Sequence, residues 1–375
     1  MIHAIVFANR SGYHLFERTA DFPETFRKDI QEICDRLQAF DGLTDTALRY
    51  MPLRDRYLLS VILRLKHGNA DCLRSHVCAV NFLLEQEDAD AMFAGDLRQT
   101  ADLAVKAARK LMEVRDCALP EHICRELLQA ADPMPSMPQE AGIPLPTLMT
   151  GAYYGAGGKL TKQLFIQSTG DPLEELQVLC GNLPPALRRT LRFHTDCVSA
   201  AESHGITLCF SSRLEEIISS YFSQGPDTTK FWVFPPDGRI PSKNDSDLEG
   251  LAARLAAIPE RVPVYGLLMG YIPNWKTSLN LSQLLREKAD PSLAQALELL
   301  PEEDMLAFLH SGLLDETELT ELVRTAGKRK LIARTAREAL AELQPEGGNR
   351  APAWRYAVGG ILGAAAAYLL LKWIL

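Results

Sequence analysis

The chain ends in YAVGGILGAAAAYLLLKWIL, a run from Tyr356 to Leu375 with no charged side chain before Lys372. As a helix this run spans about 30 Å, the thickness of a bilayer's hydrocarbon core. A helix docked on a protein's own core keeps a polar stripe that returns every three or four residues, and none is present here. Its place in the chain is wrong for a secretory signal. Residues 355–375 therefore read as one transmembrane helix, a tail anchor. Trp354, Tyr356 and Trp373 stand at its ends, where amphipathic rings favour the headgroup level. Lys372 can extend its ammonium out of the apolar layer along its own stem. Arg350 and Arg355 on the near side fit a single-pass protein of the inner membrane with its body in the cytoplasm.

The same run carries small residues at a four-residue spacing: Gly359, Gly363 and Ala367 form one set, and Gly360 with Ala364 another. Such a face lets two helices approach closely in lipid, so self-association through the tail is an expectation.

The rest of the chain is ordinary for a globular body. At 375 residues it has room for two or three domains. The formal net charge is −8, and the body ahead of the tail is more acidic still, because Arg355 and Lys372 are both positive. An acidic body argues against general nucleic-acid binding, which needs basic surface. The eight cysteines follow no framework spacing and read as reduced thiols of a cytosolic body.

Pattern and punctuation divide this body. Residues 1–132 read as an α/β domain. It opens with a hairpin around Asn9-Arg10-Ser11-Gly12, then a helix in PETFRKDIQEICDRLQAF with Phe26, Ile30, Ile33 and Leu37 three or four apart. HVCAVNFLLE is a buried strand, and helices follow near Ala101–Val114 and His122–Ala130. Residues 133–150 are rich in proline and read as an exposed connector. Residues 151–240 form a second α/β unit: strands in KLTKQLFIQ, GITLCFSS and KFWVF, and helices from Pro184 to Phe193 and in SRLEEIISSYF. Residues 241–343 repeat helical patterns and read as a small bundle. Residues 344–354 are a short joint. The fold class expected is an α+β or α/β two-part body, then a helical bundle and one C-terminal membrane helix.

Chemistry-bearing patterns are incomplete. GAYYGAGGKLT resembles a phosphate-binding loop, but Tyr153 stands where its first glycine belongs and Leu160 replaces the hydroxyl after Lys159. Flexible glycine-rich chain between domains is the better account of residues 151–161. His194, Cys197, His204 and Cys209 lack the paired short gaps of zinc sites, and so does the pair His122 and Cys124. His76 beside Ser75 and Cys78, and His194 with Asp196 and Cys197, have the residue types of a nucleophile and its base. No GxSxG elbow accompanies them, and triad partners are seldom sequence neighbours. No catalytic residue, cofactor or metal is assigned. The basic run GKRKLIARTAR, with Lys328, Arg329, Lys330, Arg334 and Arg337, reads as contact with anionic headgroups close to the anchor.

FANRSGYHLFERT and RSHVCAVNFLLE, followed by LPPALRRTLRFHT, resemble the N-terminal region of GTPase-associated proteins of bacterial conflict systems. The resemblance rests on Gly12 with His14 and Leu15, on His76, and on Leu183, Pro184, Pro185, Arg188 and Arg189, within residues 1–235. It implies a partner role beside a GTPase in immunity or stress, with no catalytic residue to transfer. Arg188 and Arg189 are possible partner contacts, since an arginine supplied in trans can stabilise phosphoryl transfer. They are equally read as solvated helix charges. Two functions follow: a tail-anchored adaptor, or a membrane-disrupting effector that oligomerises through its tail helix.

Overall fold

The computed structural model describes residues 3–9, 13–18, 21–37, 46–65, 76–113, 143–156, 163–167, 170–223, 231–234, 250, 253, 265–288 and 291–343. These fall into two compact units, divided between Asp290 and Pro291.

The first unit is a mixed α/β structure on one sheet of nine strands among the described residues. In chain order the elements are β1 His3–Asn9, β2 Tyr13–Arg18, α1 Arg27–Cys34, β3 Thr46–Leu53, β4 Arg56–Leu65, β5 His76–Leu84, α2 Gln86–Ala94 and α3 Leu97–Glu113. Then come α4 Leu145–Ala156, β6 Gln163–Gln167, α5 Pro172–Gly181, α6 Pro185–Arg188, β7 Phe193–His194, β8 Leu208–Ser211, α7 Leu214–Ser223, β9 Phe231–Phe234 and α8 Trp275–Glu287. The strand order is β2-β1-β5-β4-β3-β7-β8-β6-β9. Pairing is antiparallel from β2 through to β7 and parallel from β7 to β9.

Strand alternation sorts the side chains into two covered faces. One face carries Ile5, Phe7, Leu58, Ile62, Ala79, Phe165 and Val233, packed with Ile30 and Ile33 of α1 and Ile217 and Ile218 of α7. The other carries Leu164 and Leu208, and α4 packs on them so closely that a side chain at Gly151 would require them to shift. A Cβ there would lie 2.4 Å from Leu208 Cδ2 and 3.0 Å from Leu164 Cδ2. α2 adds Phe93, whose ring meets Tyr50 of β3 edge-on at a centroid distance of 4.9 Å. Burial on both faces explains why RYLLSVILRL of β4 reads as a nearly unbroken apolar run.

Several sequence expectations change. Residues 1–132 and 151–240 do not form separate sheets: β3 pairs with β7 through Arg49–His194 and Tyr50–Phe193. The connector assigned to 133–150 and the flexible segment assigned to 151–161 both overlap α4. Pro144 and Pro146 do not break it, because proline is tolerated in a helix's first turn, where its missing N–H has no partner to lose. The helix expected from Pro184 to Phe193 is only the four residues of α6, since Phe193 is drawn into the sheet. β3 and β4 were not foreseen. The hairpin of β1 and β2, the helix near α1, β5, β6, β8, α7 and β9 are where the pattern placed them. The helix expected at 122–130, most of DLEGLAARLAAI, the joint 344–354 and the tail lie outside the described residues. Among the described residues no helix is long and apolar enough to cross a membrane.

The second unit contains α9 Leu293–Leu297, α10 Glu302–Leu309, α11 Glu316–Thr325 and α12 Lys330–Leu343. The sequence boundary at residue 241 would place α8 with them, but α8 belongs to the first unit, where Trp275 Nε1 donates to Thr190 Oγ1 at 3.2 Å. The starts of α9 and α11 are set by capping boxes, Ser292 with Gln295 and Asp315 with Glu318. Gly327, at φ 58°, takes the left-handed turn that separates α11 from α12. Phe308, Leu319, Leu322, Ile332 and Ala336 are buried in this unit.

Candidate functional site

A row of polar residues crosses the middle of the sheet on the face covered by α1. Register alone places it: Cys209 of β8 opposes His194 of β7, His194 opposes Arg49 of β3, Arg49 opposes Ser60 of β4, and Ser60 opposes Asn81 of β5. Five adjacent strands each contribute one residue, and none of the five exceeds 2% exposure. Arg64, four residues beyond Ser60 on β4, lies on the same face.

The charged part of this row is paired only in part: Arg49 Nε and Nη1, Arg64 Nε and His194 Nε2 are buried without a hydrogen bond among the described residues. Arg64 Nη1 donates to Asp196 Oδ2 at 2.9 Å, while its Nη2 donates to the Asp196 carbonyl at 3.0 Å and to Glu202 Oε2 at 3.2 Å. Glu202 Oε2 also accepts the backbone N–H of Val198 at 3.0 Å. The N–H of Asp196 donates to His194 Nδ1 at 3.3 Å. A nitrogen that accepts carries no proton, so the neutral ring holds its hydrogen on Nε2, which is 3.7 Å from Glu202 Oε2. Burial, reinforced by the positive charges of Arg49 and Arg64, holds His194 well below its ordinary pKa. Arg49 Nη2 donates to the His204 carbonyl at 2.7 Å, and its Nε and Nη1 have no hydrogen-bond partner among the described residues. Arg64 thus meets both carboxylates beside a neutral imidazole, while the hydrogen bond of Arg49 goes to the His204 carbonyl. A buried set of this kind is costly to break, because each charge left behind has no water to turn to.

The uncharged end is hydrogen-bonded as well. Ser60 Oγ donates to Asn81 Oδ1 at 2.7 Å, and Asn81 Nδ2 donates to the carbonyls of Ile5 at 3.3 Å and Ala79 at 3.2 Å. Burial pushes the thiols of Cys34, Cys78 and Cys180 up to about 12 and raises Cys209 well above its ordinary value. Such thiols are poor nucleophiles. The chemistry this arrangement performs is static: it pins the register of β3, β4, β5, β7 and β8 and joins the antiparallel half of the sheet to the parallel half.

The catalytic-looking FHTDC segment is therefore part of this seam, with His194 and Asp196 brought together by Glu202 and Arg64 from elsewhere in the chain. Of the four residues weighed as zinc ligands, His194, Cys197 and Cys209 lie close together and His204 stands apart. His194 and Cys209 are buried side by side, Cys197 Sγ donates to the Ser199 carbonyl at 3.3 Å, and His204 is exposed. Among the described residues no group of three or more His, Cys, Asp or Glu side chains is placed to hold a metal ion. Arg188 and Arg189 are not simply solvated charges: both are only partly exposed and engage groups of the fold. Arg188 Nε and Nη1 donate to the carbonyls of Leu183 at 2.8 Å and Phe93 at 3.3 Å, and Arg189 Nε lies 3.2 Å from Asp90 Oδ1. They tie α6 to α2. Lys328, Arg329, Lys330, Arg334 and Arg337 stand at the start of α12 and along it. Trp354, Arg355, Tyr356, Gly359, Gly360, Gly363, Ala364, Ala367, Lys372 and Trp373 lie outside the described residues.

Arg49, Arg64, Ser60, Asn81 and Glu202 were missed in the sequence. Four of them leave a signal, as single polar residues inside the apolar runs ALRYM, LLSVILRL and CAVNFLL. No protein-family model matches the chain, and no curated protein matches it.

Proposed function

We propose that the protein is a tail-anchored membrane adaptor of a bacterial defence or stress system. Residues 355–375 hold it in the bilayer, and the cytosolic body binds a partner protein, a GTPase being the class that the resemblance implies. The observation that carries this reading is the uncharged run from Tyr356 to Leu371 with aromatic rings at both ends. The body adds support of a different kind. His194 and Asp196, which look catalytic in sequence, are engaged with Arg64 and Glu202 inside the fold. The test is a pull-down of the detergent-solubilised full chain, with co-purifying proteins identified by mass spectrometry, beside a variant lacking 355–375. The variant is expected to leave the membrane fraction and keep the partner. Retention in the membrane without the tail would overturn the anchor, and the absence of any stoichiometric partner would overturn the adaptor.

A membrane-disrupting effector is the second reading, favoured by the spacing of Gly359, Gly363 and Ala367. It requires assembly through that face. Gly359→Leu with Gly363→Leu that inserts normally and leaves the protein's effect on membrane integrity unchanged excludes it.

A further inference from the structure

Residues 328–337 hold five cations and no carboxylate. Three of them, Lys328, Arg329 and Lys330, stand at the N-terminal end of α12, where the helix dipole is positive and cations are disfavoured. The first turn of α12 contains no acidic residue, whereas that of α11 has Glu316 and Glu318. Helix stability therefore does not account for these cations. Internal pairing accounts for only part of them. Arg329 Nε reaches Glu298 Oε2 at 2.5 Å, and Arg334, 75% exposed, pairs with Glu338 one turn along its own helix at 2.9 Å. Lys328, Lys330 and Arg337 are exposed and have no carboxylate partner among the described residues.

The geometry of α12 gathers these charges. Ile332, Ala333, Thr335, Ala336 and Ala339 are buried and define its inner side. Lys330, Arg334 and Arg337 follow at spacings of four and three on the outer side. Leu331, next to Lys330 in the chain, is 42% exposed, which suits the boundary between headgroups and acyl chains. The chain also limits where this face can go. Roughly twelve residues separate Leu343 from Tyr356, a reach of at most ~40 Å when extended and ~20 Å as a flexible coil. A tether of that length holds the face at high effective concentration beside the bilayer.

We propose that Lys328, Lys330, Arg334 and Arg337 form a docking face for anionic phospholipid headgroups, with Leu331 entering the headgroup layer. The inference rests on the tail-anchor reading and adds a second, charge-dependent contact to it. That contact attracts only near the surface, because its field falls off within a Debye length, about 10 Å at 0.1 M salt. Membranes rich in anionic lipid then hold the helical unit against the bilayer, and neutral membranes leave it tethered by the tail alone.

The experiment reconstitutes the full chain from detergent into phosphatidylcholine vesicles and into vesicles of phosphatidylcholine with phosphatidylglycerol. Flotation reports the tether. Labelling of Lys328 and Lys330 by a water-soluble amine reagent, read by mass spectrometry against an added lysine peptide, reports the face. The protein is expected to float with both vesicles. Labelling of both lysines is expected to be several-fold lower on the anionic vesicles and to recover near 1 M salt, where the Debye length is about 3 Å. In Lys330→Glu with Arg337→Glu, Lys328 is expected to label equally on both. That variant places an acid at the start of α12, which the helix dipole favours, so an unchanged helical circular-dichroism signal separates lost docking from lost folding. Equal labelling of the unaltered chain on both vesicles, with flotation intact, overturns the docking face and leaves the tether standing. Flotation only with anionic vesicles, with the lysines protected, overturns the tether and upholds the face. Failure to float with either overturns both.

Discussion

Arg64 is the residue on which the seam turns, because it meets both carboxylates of the row. Arg64→Ala removes the guanidinium that both Asp196 and Glu202 meet, and a loss of about 3–5 kcal/mol is expected from the unfolding midpoint in denaturant. His194 gives the same seam a pH dependence. Its folded pKa lies well below the unfolded value near 6.5, so below pH 6.5 the unfolded chain binds a proton that the folded chain refuses. Stability therefore falls as pH drops through 6.5, by up to about 1.4 kcal/mol per pH unit until the folded pKa is reached. The partly buried His3 and the exposed His204 are shifted in the same direction and add to the slope. His194→Asn keeps an acceptor where Nδ1 stands and removes the titration, so thermal unfolding between pH 7 and 5 is expected to show a shallower slope. An unchanged slope would assign the effect to the other two histidines. FHTDC was legible as a structural segment and not as a catalytic one, but its partners Arg64 and Glu202 were not, because they lie elsewhere in the chain.

The helices show how packing overrides local composition. α4 contains the glycines and prolines that mark a loop, yet it forms because Gly151 lets its backbone settle onto Leu164 and Leu208. Gly151→Ala is expected to cost about 1–3 kcal/mol through overpacking, although alanine is the better helix former by ~1 kcal/mol. A thermal midpoint that rises would show that the helix can shift to make room. The opposite case is DETELTELVRTAGKRKLIARTAREALAEL, a single helical pattern that folds as two helices. Gly327 adopts φ 58°, and Gly327→Ala forces a Cβ into that conformation at a cost of roughly 1–2 kcal/mol, measurable as faster hydrogen exchange in α11 and α12. The glycine was visible in the sequence. Its conformation was not, because a lone glycine in a helical pattern is also tolerated.

At the scale of the whole molecule, the continuous sheet forbids the division into two α/β domains that the proline-rich stretch suggested. A fragment of residues 1–132 would expose the edge of β3 and bury Arg64 without Asp196 or Glu202. It is expected to be unfolded or aggregated by circular dichroism and sedimentation, whereas a well-folded monomer would restore the two-domain division. The sequence by itself determined the uncharged run from Tyr356 to Leu371, the net acidity, the strands and helices with clean periodicity, and the clustering of cations at 328–337. These are local properties, set by a few neighbouring residues and by exposure to water or lipid. Only the tertiary structure decided that β3 meets β7, that Arg64 and Glu202 share one buried network, and that a proline- and glycine-bearing stretch is a helix. The first two of those outcomes depend on register between segments more than a hundred residues apart, all three on packing against distant strands, and the buried network on desolvation, which gives each buried polar group its energy only after its distant partner has arrived.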